Sequence, residues 1–167
     1  VHKSTILIDT HNDITGATVE GLDIGVPNTD HHTDVPRMKK GGMGVSTAVA
    51  MGGDTITGRR MVDYVRLFED DPGTEAIALF GEPGTPNERE VAQHIRENGM
   101  KKPIVALIAG AFQENHPKGV SFGHAAAMIA DDSDRPTTKK KMLAEAGVRI
   151  AKDLKDIPVQ IKQALGR

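Results

Sequence analysis

The sequence predicts an α/β domain in which helices cover both faces of a parallel sheet. Short runs rich in β-branched residues, such as residues 5–9 and 45–50, have the length of buried strands. They alternate along the chain with stretches such as residues 59–68, whose apolar positions fall on one helical face. This alternation favours parallel strands joined by helical crossovers. A chain of 167 residues is long enough for one domain with a core of its own.

The elements can be placed one by one. Strands are predicted at residues 5–9, 45–50, 76–80, 104–109 and 148–151. Helices are predicted from Thr33 or Asp34 to Gly41, at 59–68, 86–98 and 137–146, and from Asp153 toward Leu165. Glycines at 99 and 147 are typical helix stops. Five parallel strands suit a flavodoxin-like, doubly wound sheet of strand order 2-1-3-4-5.

Composition argues against several classes of function. The net charge is −2 and aromatic residues make up 3% of the chain, so we expect no nucleic-acid-binding surface. Without cysteine there is no disulfide, thiolate metal site or cysteine nucleophile. The apolar runs are far shorter than a membrane span, and no signal peptide is recognisable, so we expect a cytoplasmic protein. The run Lys139-Lys140-Lys141 is predicted to be a solvated helix face.

Several segments in the later part of the chain carry a specific pattern. They are Gly-Val-Ser-Thr-Ala-Val-Ala-Met-Gly-Gly-Asp (44–54), Gly-Glu-Pro-Gly (81–84), Lys-Pro-Ile-Val-Ala-Leu-Ile-Ala-Gly (102–110) and Ser-Phe-Gly-His-Ala-Ala-Ala (121–127). In order and register, residues 44–167 resemble the NDP-forming acyl-CoA synthetase family. That family includes the succinyl-CoA synthetase α subunit and the corresponding part of ATP-citrate lyase.

This resemblance implies two catalytic residues. In the family, a loop histidine accepts a phosphoryl group and moves between a nucleotide site and an acyl-phosphate site, and His124 stands at the matching position. Glu82 matches the glutamate that orients the imidazole. A neutral imidazole is a good nucleophile toward phosphorus. A carboxylate on its second nitrogen fixes the tautomer and stabilises the positive charge that develops.

The chain also departs from the family's pattern. Pro83 and Thr85 replace an apolar residue and a glycine in the turn that carries Glu82, and Ala126 replaces a glycine beside His124. Residues 1–43 show no glycine-rich first turn for binding phosphate, and we expect the family's preceding CoA-binding domain to be missing. We therefore expect no complete activity, and poor acceptance of phosphate from a nucleotide by the loop histidine.

The resemblance also implies partners and ligands. The expected partner is an ATP-grasp β subunit, with a homo-oligomer as the alternative. No cofactor is expected to be required, although a phosphate or sulfate ion would suit the neighbourhood of His124. We expect contacts with neither nucleic acid nor membranes.

The opening residues resemble a different family. Ile-Asp-Thr-His-Asn-Asp at 8–13 and the segment 32–42 are similar to the start of the membrane (renal) dipeptidase family, a zinc-dependent TIM barrel. A His-x-Asp pair after the first strand ligates metal there, which implies His11 and Asp13 as metal ligands here. Because catalytic zinc needs about three protein ligands, we expect solvated loop residues or adventitious zinc, and no dipeptidase activity.

Together the two resemblances predict a chimera that folds as a single domain over residues 1–167. Residues 1–43 would supply one βα unit that completes the sheet of residues 44–167. An artificial join is favoured over natural recombination or divergence. Three functions stay open: a ligase domain without complete activity, a working fragment that passes phosphate through His124 to or from an ATP-grasp partner, and a metal-binding hydrolase fragment that uses His11 and Asp13.

Overall fold

The computed structural model describes residues 4–9, 45–51, 58–120 and 128–167. Five parallel strands in these residues form one sheet of order β2-β1-β3-β4-β5. They are β1 (Ser4–Asp9), β2 (Val45–Ala50), β3 (Thr74–Gly81), β4 (Ile104–Ile108) and β5 (Arg149–Ile150). The predicted flavodoxin-like fold and its strand order 2-1-3-4-5 are confirmed.

In the described residues, helices follow β2, β3, β4 and β5. The described residues form α1 (Met61–Asp70), α2 (Asn87–Asn98), α3 (Pro136–Glu145) and α4 (Asp156–Ala164). Two short 3-10 helices, Ala111–Asn115 and Asp132–Asp134, lie in the connection between β4 and α3. None of the helices in the described residues is both long and apolar enough to cross a bilayer. The helix predicted from Thr33 or Asp34 lies outside the described residues.

The first strand lies in the interior of the sheet. Along β1, Leu7 pairs with Ala48 of β2 on one side and with Ala78 of β3 on the other. The opening of the chain therefore supplies backbone hydrogen-bonding groups to two strands that follow much later in the sequence. This central position is the one that the predicted strand order requires.

The two faces of the sheet pack against different helices. Since side chains alternate along a strand, Ile77 and Leu79 of β3 face one core, in which α1, α2 and α3 bury their apolar positions. Ala76 and Ala78 face a second core, which includes Ile157 and the other buried positions of α4. Helices on both faces confirm the doubly wound arrangement.

Some helix boundaries differ from those predicted. The final helix begins at Asp156 with Lys155 as its N-cap, so the prediction that Asp153 caps it was wrong by two residues. The Asp153 carboxylate accepts hydrogen bonds from the backbone N–H groups of Lys155 (2.8 Å) and Asp156 (2.9 Å) and thus closes the turn that precedes α4. The stop at Gly99 is confirmed: this residue caps α2 with a left-handed φ of 74°.

Candidate active site

Glu82 stands at the carboxyl end of β3, directly after Gly81. The turn of residues 82–85 is called the Glu82 turn below. The carbonyl oxygen of Gly81 accepts a hydrogen bond from the N–H of Ala109 (2.9 Å), so β3 and the end of β4 stay paired up to this edge. Ligands of doubly wound sheets bind outside the carboxyl ends of the strands. The sheet therefore delivers the half-buried Glu82 to the edge where chemistry is expected.

A buried ion pair lies beneath the Glu82 turn. Nζ of Lys139 lies 2.6 Å from Oε2 of Glu88, and the two side chains are only 1% and 0% exposed. The same ammonium donates to the carbonyl oxygens of Glu82 (2.6 Å) and Thr85 (2.7 Å). The other carboxylate oxygen, Oε1 of Glu88, accepts the backbone N–H of Glu82 (3.1 Å). Both backbone polar groups of Glu82 are thus held by this pair.

The electrostatics of the pair follow from its burial. Loss of solvent raises the pKa of the Glu88 carboxyl, and the ammonium of Lys139 and the Glu82 amide oppose that change. There is no room for a side chain between the end of β3 and this carboxylate, because a Cβ added to Gly81 would lie 2.2 Å from Oε1 of Glu88. Glycine at the end of β3 is therefore what allows the carboxylate to approach the strand.

The sequence interpretation missed this pair. The prediction of a solvated lysine run was wrong for Lys139, whose side chain points into the protein. A usable signal was present: Glu88 lies on the same helical stripe as the buried Val91 and Ile95, and Lys139 lies four residues before the buried Leu143. A charged residue of each sign on an apolar stripe indicates a buried pair, since lone buried charges are rare.

The connection after β4 passes directly against the Glu82 turn. Gly110 has a left-handed φ of 79°, and a Cβ added there would lie 2.6 Å from both Cγ and Cδ of Pro83. Only glycine meets both demands without strain. Pro83, noted above as a departure from the family's pattern, is buried at this contact with Gly110.

The loop that contains His124 is closed at its base. The backbone N–H of Gly119 donates to the carbonyl oxygen of Ile129 (3.0 Å), and these two residues flank the loop. The loop residues 121–127 lie outside the described residues, so the predicted contact between Glu82 and His124 stays a prediction.

The carboxyl-terminal side of this loop is tied to the Glu82 turn through Asp134. The N–H of Gly84 donates to the carbonyl oxygen of Asp134 (3.4 Å), and the Asp134 carboxylate accepts the N–H of Ala130 (3.0 Å). The guanidinium of Arg89 at the start of α2 adds a hydrogen bond to the hydroxyl of Ser133 (2.9 Å). The glutamate turn and the loop base are therefore parts of one connected arrangement.

The predicted metal ligands His11 and Asp13 lie outside the described residues. Over residues 45–51, 58–120 and 128–167, no group of three or more His, Asp or Glu side chains could hold a metal ion. The metal site of the opening segment thus stays a prediction.

Comparison with known families gives one match over most of the chain. The family model described as "Succinyl-CoA ligase like flavodoxin domain" matches residues 33–161. The match begins inside the segment that resembles dipeptidases. The dipeptidase resemblance, and with it the predicted chimera, has no support from these comparisons.

Curated relatives include α subunits of CoA ligases. The malate–CoA ligase subunit alpha of Methylorubrum extorquens is 40% identical over 117 residues, which are 70% of this chain and 38% of that protein. The succinate–CoA ligase [ADP-forming] subunit alpha 1 of Archaeoglobus fulgidus is 38% identical over 128 residues, which are 77% of this chain and 42% of that protein. The chain thus spans about two fifths of the length of these relatives.

A solved structure matches nearly the whole chain. ATP citrate lyase from Methanothrix soehngenii, in complex with citrate and coenzyme A, superposes with a TM-score of 0.75 at 25% identity. The similarity covers 99% of this chain and 24% of that one. The fold seen there therefore extends over both the opening strand and the later segments.

Proposed function

The chain belongs to the family of succinyl-CoA ligase-like flavodoxin domains, and on that premise we propose that it is the phosphohistidine domain of an NDP-forming acyl-CoA ligase of the α-subunit type. In this function His124 carries the phosphoryl group and Glu82 orients its imidazole. The observation that carries the proposal is the Glu82 turn itself. It stands at the carboxyl edge of the sheet, fixed by a buried ion pair and tied to the base of the His124 loop.

The chemistry needs few groups from this domain. A nitrogen lone pair of neutral His124 attacks the phosphorus of the donor, a nitrogen–phosphorus bond forms, and the bond from phosphorus to the leaving group breaks with its electron pair. A carboxylate on the second ring nitrogen holds the proton there and stabilises the imidazolium that develops. In the complete reaction, the phosphoryl group then passes to a carboxylate oxygen of the acyl substrate, and a thiol displaces phosphate from that acyl phosphate.

Complete acyl-CoA formation would require more than the residues of this domain. We propose that an ATP-grasp β subunit supplies the nucleotide site, and that a CoA-binding domain supplies the thiol. No resident cofactor is needed for the histidine chemistry, and inorganic phosphate is the natural ligand of the same site. Alone, this chain is expected to exchange a phosphoryl group at His124 without making a CoA thioester.

The test uses phosphoramidate, a small phosphoryl donor that needs no nucleotide site. We expect the chain to gain the mass of one phosphoryl group at His124, in an acid-labile and alkali-stable form. His124→Asn should abolish the label, and Glu82→Gln should slow its formation by about 10- to 100-fold, the size expected from misplacing a reacting group by about 1 Å. His94→Asn is the matched control, because His94 lies on α2 away from the Glu82 turn. A label that survives His124→Asn would contradict the proposal.

A second candidate is a working fragment that accepts phosphate from ATP through a partner. The 38% identity to the alpha subunit of an ADP-forming succinate–CoA ligase favours it. The working fragment is distinguished from a phosphohistidine domain without nucleotide coupling by incubation with radiolabelled ATP, Mg²⁺ and the β subunit of an ADP-forming succinate–CoA ligase. Labelling of His124 only when the β subunit is present would support the working fragment. If the protein labels with phosphoramidate and not with ATP and the β subunit, it is a phosphohistidine domain without nucleotide coupling.

A further inference from the structure

We propose that Lys139 and Glu88 are positioning residues of this site, a buried pair that holds the backbone of Glu82 and thereby sets the direction in which its side chain leaves the turn. The inference rests on the proposed function of Glu82 and His124. It extends that function to two residues on helices α2 and α3 that touch neither the imidazole nor a phosphoryl donor in the proposed chemistry.

The hydrogen bonds of the pair are all directed at one turn. A lysine ammonium has three donors, and those of Lys139 reach Oε2 of Glu88 and the carbonyl oxygens of Glu82 and Thr85. Oε1 of Glu88 receives the N–H of Glu82. The pair therefore fixes Glu82 from both sides of its Cα and fixes the far end of the turn as well.

Stability alone is a weak reason for such a pair. Removing two charges from water is costly, and apolar residues of similar volume often give an equally or more stable protein. A core of Met, Leu and Val would serve packing at this place, as it does in the neighbouring core around Val91 and Leu143. What an apolar pair could not do is hydrogen-bond three backbone groups of a turn that leaves the sheet. The geometry therefore points to orientation as the role of the pair.

The consequence for the site is geometric. The Cα–Cβ direction of Glu82 is set by its own N–H and C=O groups, and both are held by the pair. If these bonds are lost, the carboxylate stays chemically intact but its direction is no longer fixed. Near-attack geometry tolerates displacements of only about 1 Å before the rate falls by about 100-fold.

The experiment compares phosphoramidate labelling of His124 in four proteins: the parent, Glu82→Gln, the double variant Glu88→Met/Lys139→Met, and the triple variant that combines them. The double variant removes both charges together, so that no lone charge stays buried. We expect Glu82→Gln and the double variant each to slow labelling by about 10- to 100-fold. The triple variant should be no slower than the double variant, because the pair acts only through Glu82. Lys141→Met, an exposed lysine on the same helix, should label at the parent rate.

The outcomes distinguish a failure of the positioning role of Lys139 and Glu88 from a failure of the proposed role of Glu82. If Glu82→Gln labels at the parent rate, the proposed role of Glu82 fails. If Glu82→Gln is slow but the double variant labels at the parent rate, or if the losses of the two multiply in the triple variant, the positioning role is overturned. Hydrogen exchange in the parent is an independent check should the double variant not fold. The Glu82 amide should be as protected as the amides of β3, and rapid exchange would contradict the inference.

Discussion

Pro83 lies so close to Gly110 that a Cβ on Gly110 would stand 2.6 Å from the proline Cγ and Cδ atoms. Two segments that leave neighbouring strands, β3 and β4, thus touch at the edge of the sheet where the proposed chemistry takes place. The contact leaves no room for a side chain at Gly110, and its left-handed φ disfavours one as well.

Gly110→Ala should therefore destabilise the protein and slow phosphorylation of His124. An alanine in the left-handed region costs about 1–2 kcal/mol, and the contact with Pro83 should add about 1–3 kcal/mol. Urea unfolding measures the sum. Gly119→Ala is the control, since Gly119 also has a left-handed φ, of 86°, but an added Cβ meets nothing within 4 Å. Equal losses in both variants would show that the contact with Pro83 has no energetic weight.

Gly81→Ala should destabilise the protein by displacing the buried carboxylate of Glu88. The added methyl group would lie 2.2 Å from Oε1 of Glu88 and 2.7 Å from Cδ1 of Ile108, so the carboxylate or the strand must move. Overpacking of this kind costs about 1–3 kcal/mol, measured by urea unfolding. Gly58→Ala should change the free energy of unfolding by no more than about 0.5 kcal/mol, since nothing lies within 4 Å of its added Cβ. If Gly81→Ala leaves the free energy of unfolding unchanged, the Glu88 carboxylate can move away from the strand without cost, which would contradict this prediction.

Lys139→Met should be strongly destabilising on its own. Removal of one partner leaves the Glu88 charge buried without compensation, and such losses amount to about 3–5 kcal/mol. Adding Glu88→Met should recover a large part of that loss, so the two substitutions should not be additive. The test is the coupling free energy from a double-mutant cycle by urea unfolding. Additive losses would indicate that the two groups do not interact as the 2.6 Å distance implies.

Thr74→Val should reduce the stabilisation that ionised Asp71, just before the start of β3, gives the fold at acidic pH. The Thr74 hydroxyl donates to the Asp71 carboxylate (2.6 Å) and, with the N–H of Gly73, lowers the pKa of Asp71 from its ordinary value of 3.8. A lowered pKa in the folded state stabilises the fold above pH 3.8, and this stabilisation is lost as the pH falls through the lower value. In Thr74→Val the Asp71 pKa should move back toward 3.8, as read from the NMR titration of its carboxyl carbon. An unchanged titration would contradict the hydrogen bond.

The sheet could be predicted from the sequence because its signals are local. The run 45–50 was predicted to the residue, and Gly99 ended α2 as expected, since strand propensity and glycine stops act through neighbouring residues. The strand order was predicted because five strands alternating with helices suit the flavodoxin-like doubly wound form, whose order is 2-1-3-4-5. The extension of β3 back to Thr74 could not be predicted in this way, because it depends on pairing with Ser4 of β1.

The candidate site was only partly accessible to sequence reasoning. Glu82 was identified through a motif, which the family match supports without testing its role. Lys139 was misread because a run of lysines resembles a solvated face, and its burial depends on a carboxylate 51 residues away. Long-range electrostatic partners of this kind have no local signature. The close contact of Pro83 with Gly110 likewise emerges only when two loops are brought together.

The central claim is that Glu82 orients the imidazole of His124, and the nitrogen chemical shifts of that imidazole test it most directly. In the parent protein, labelled with ¹⁵N at histidine, we predict shifts of a single neutral tautomer above the titration range. In Glu82→Gln we predict averaged shifts of two tautomers, because the carboxylate no longer selects one. Identical imidazole shifts in the two proteins would contradict the account.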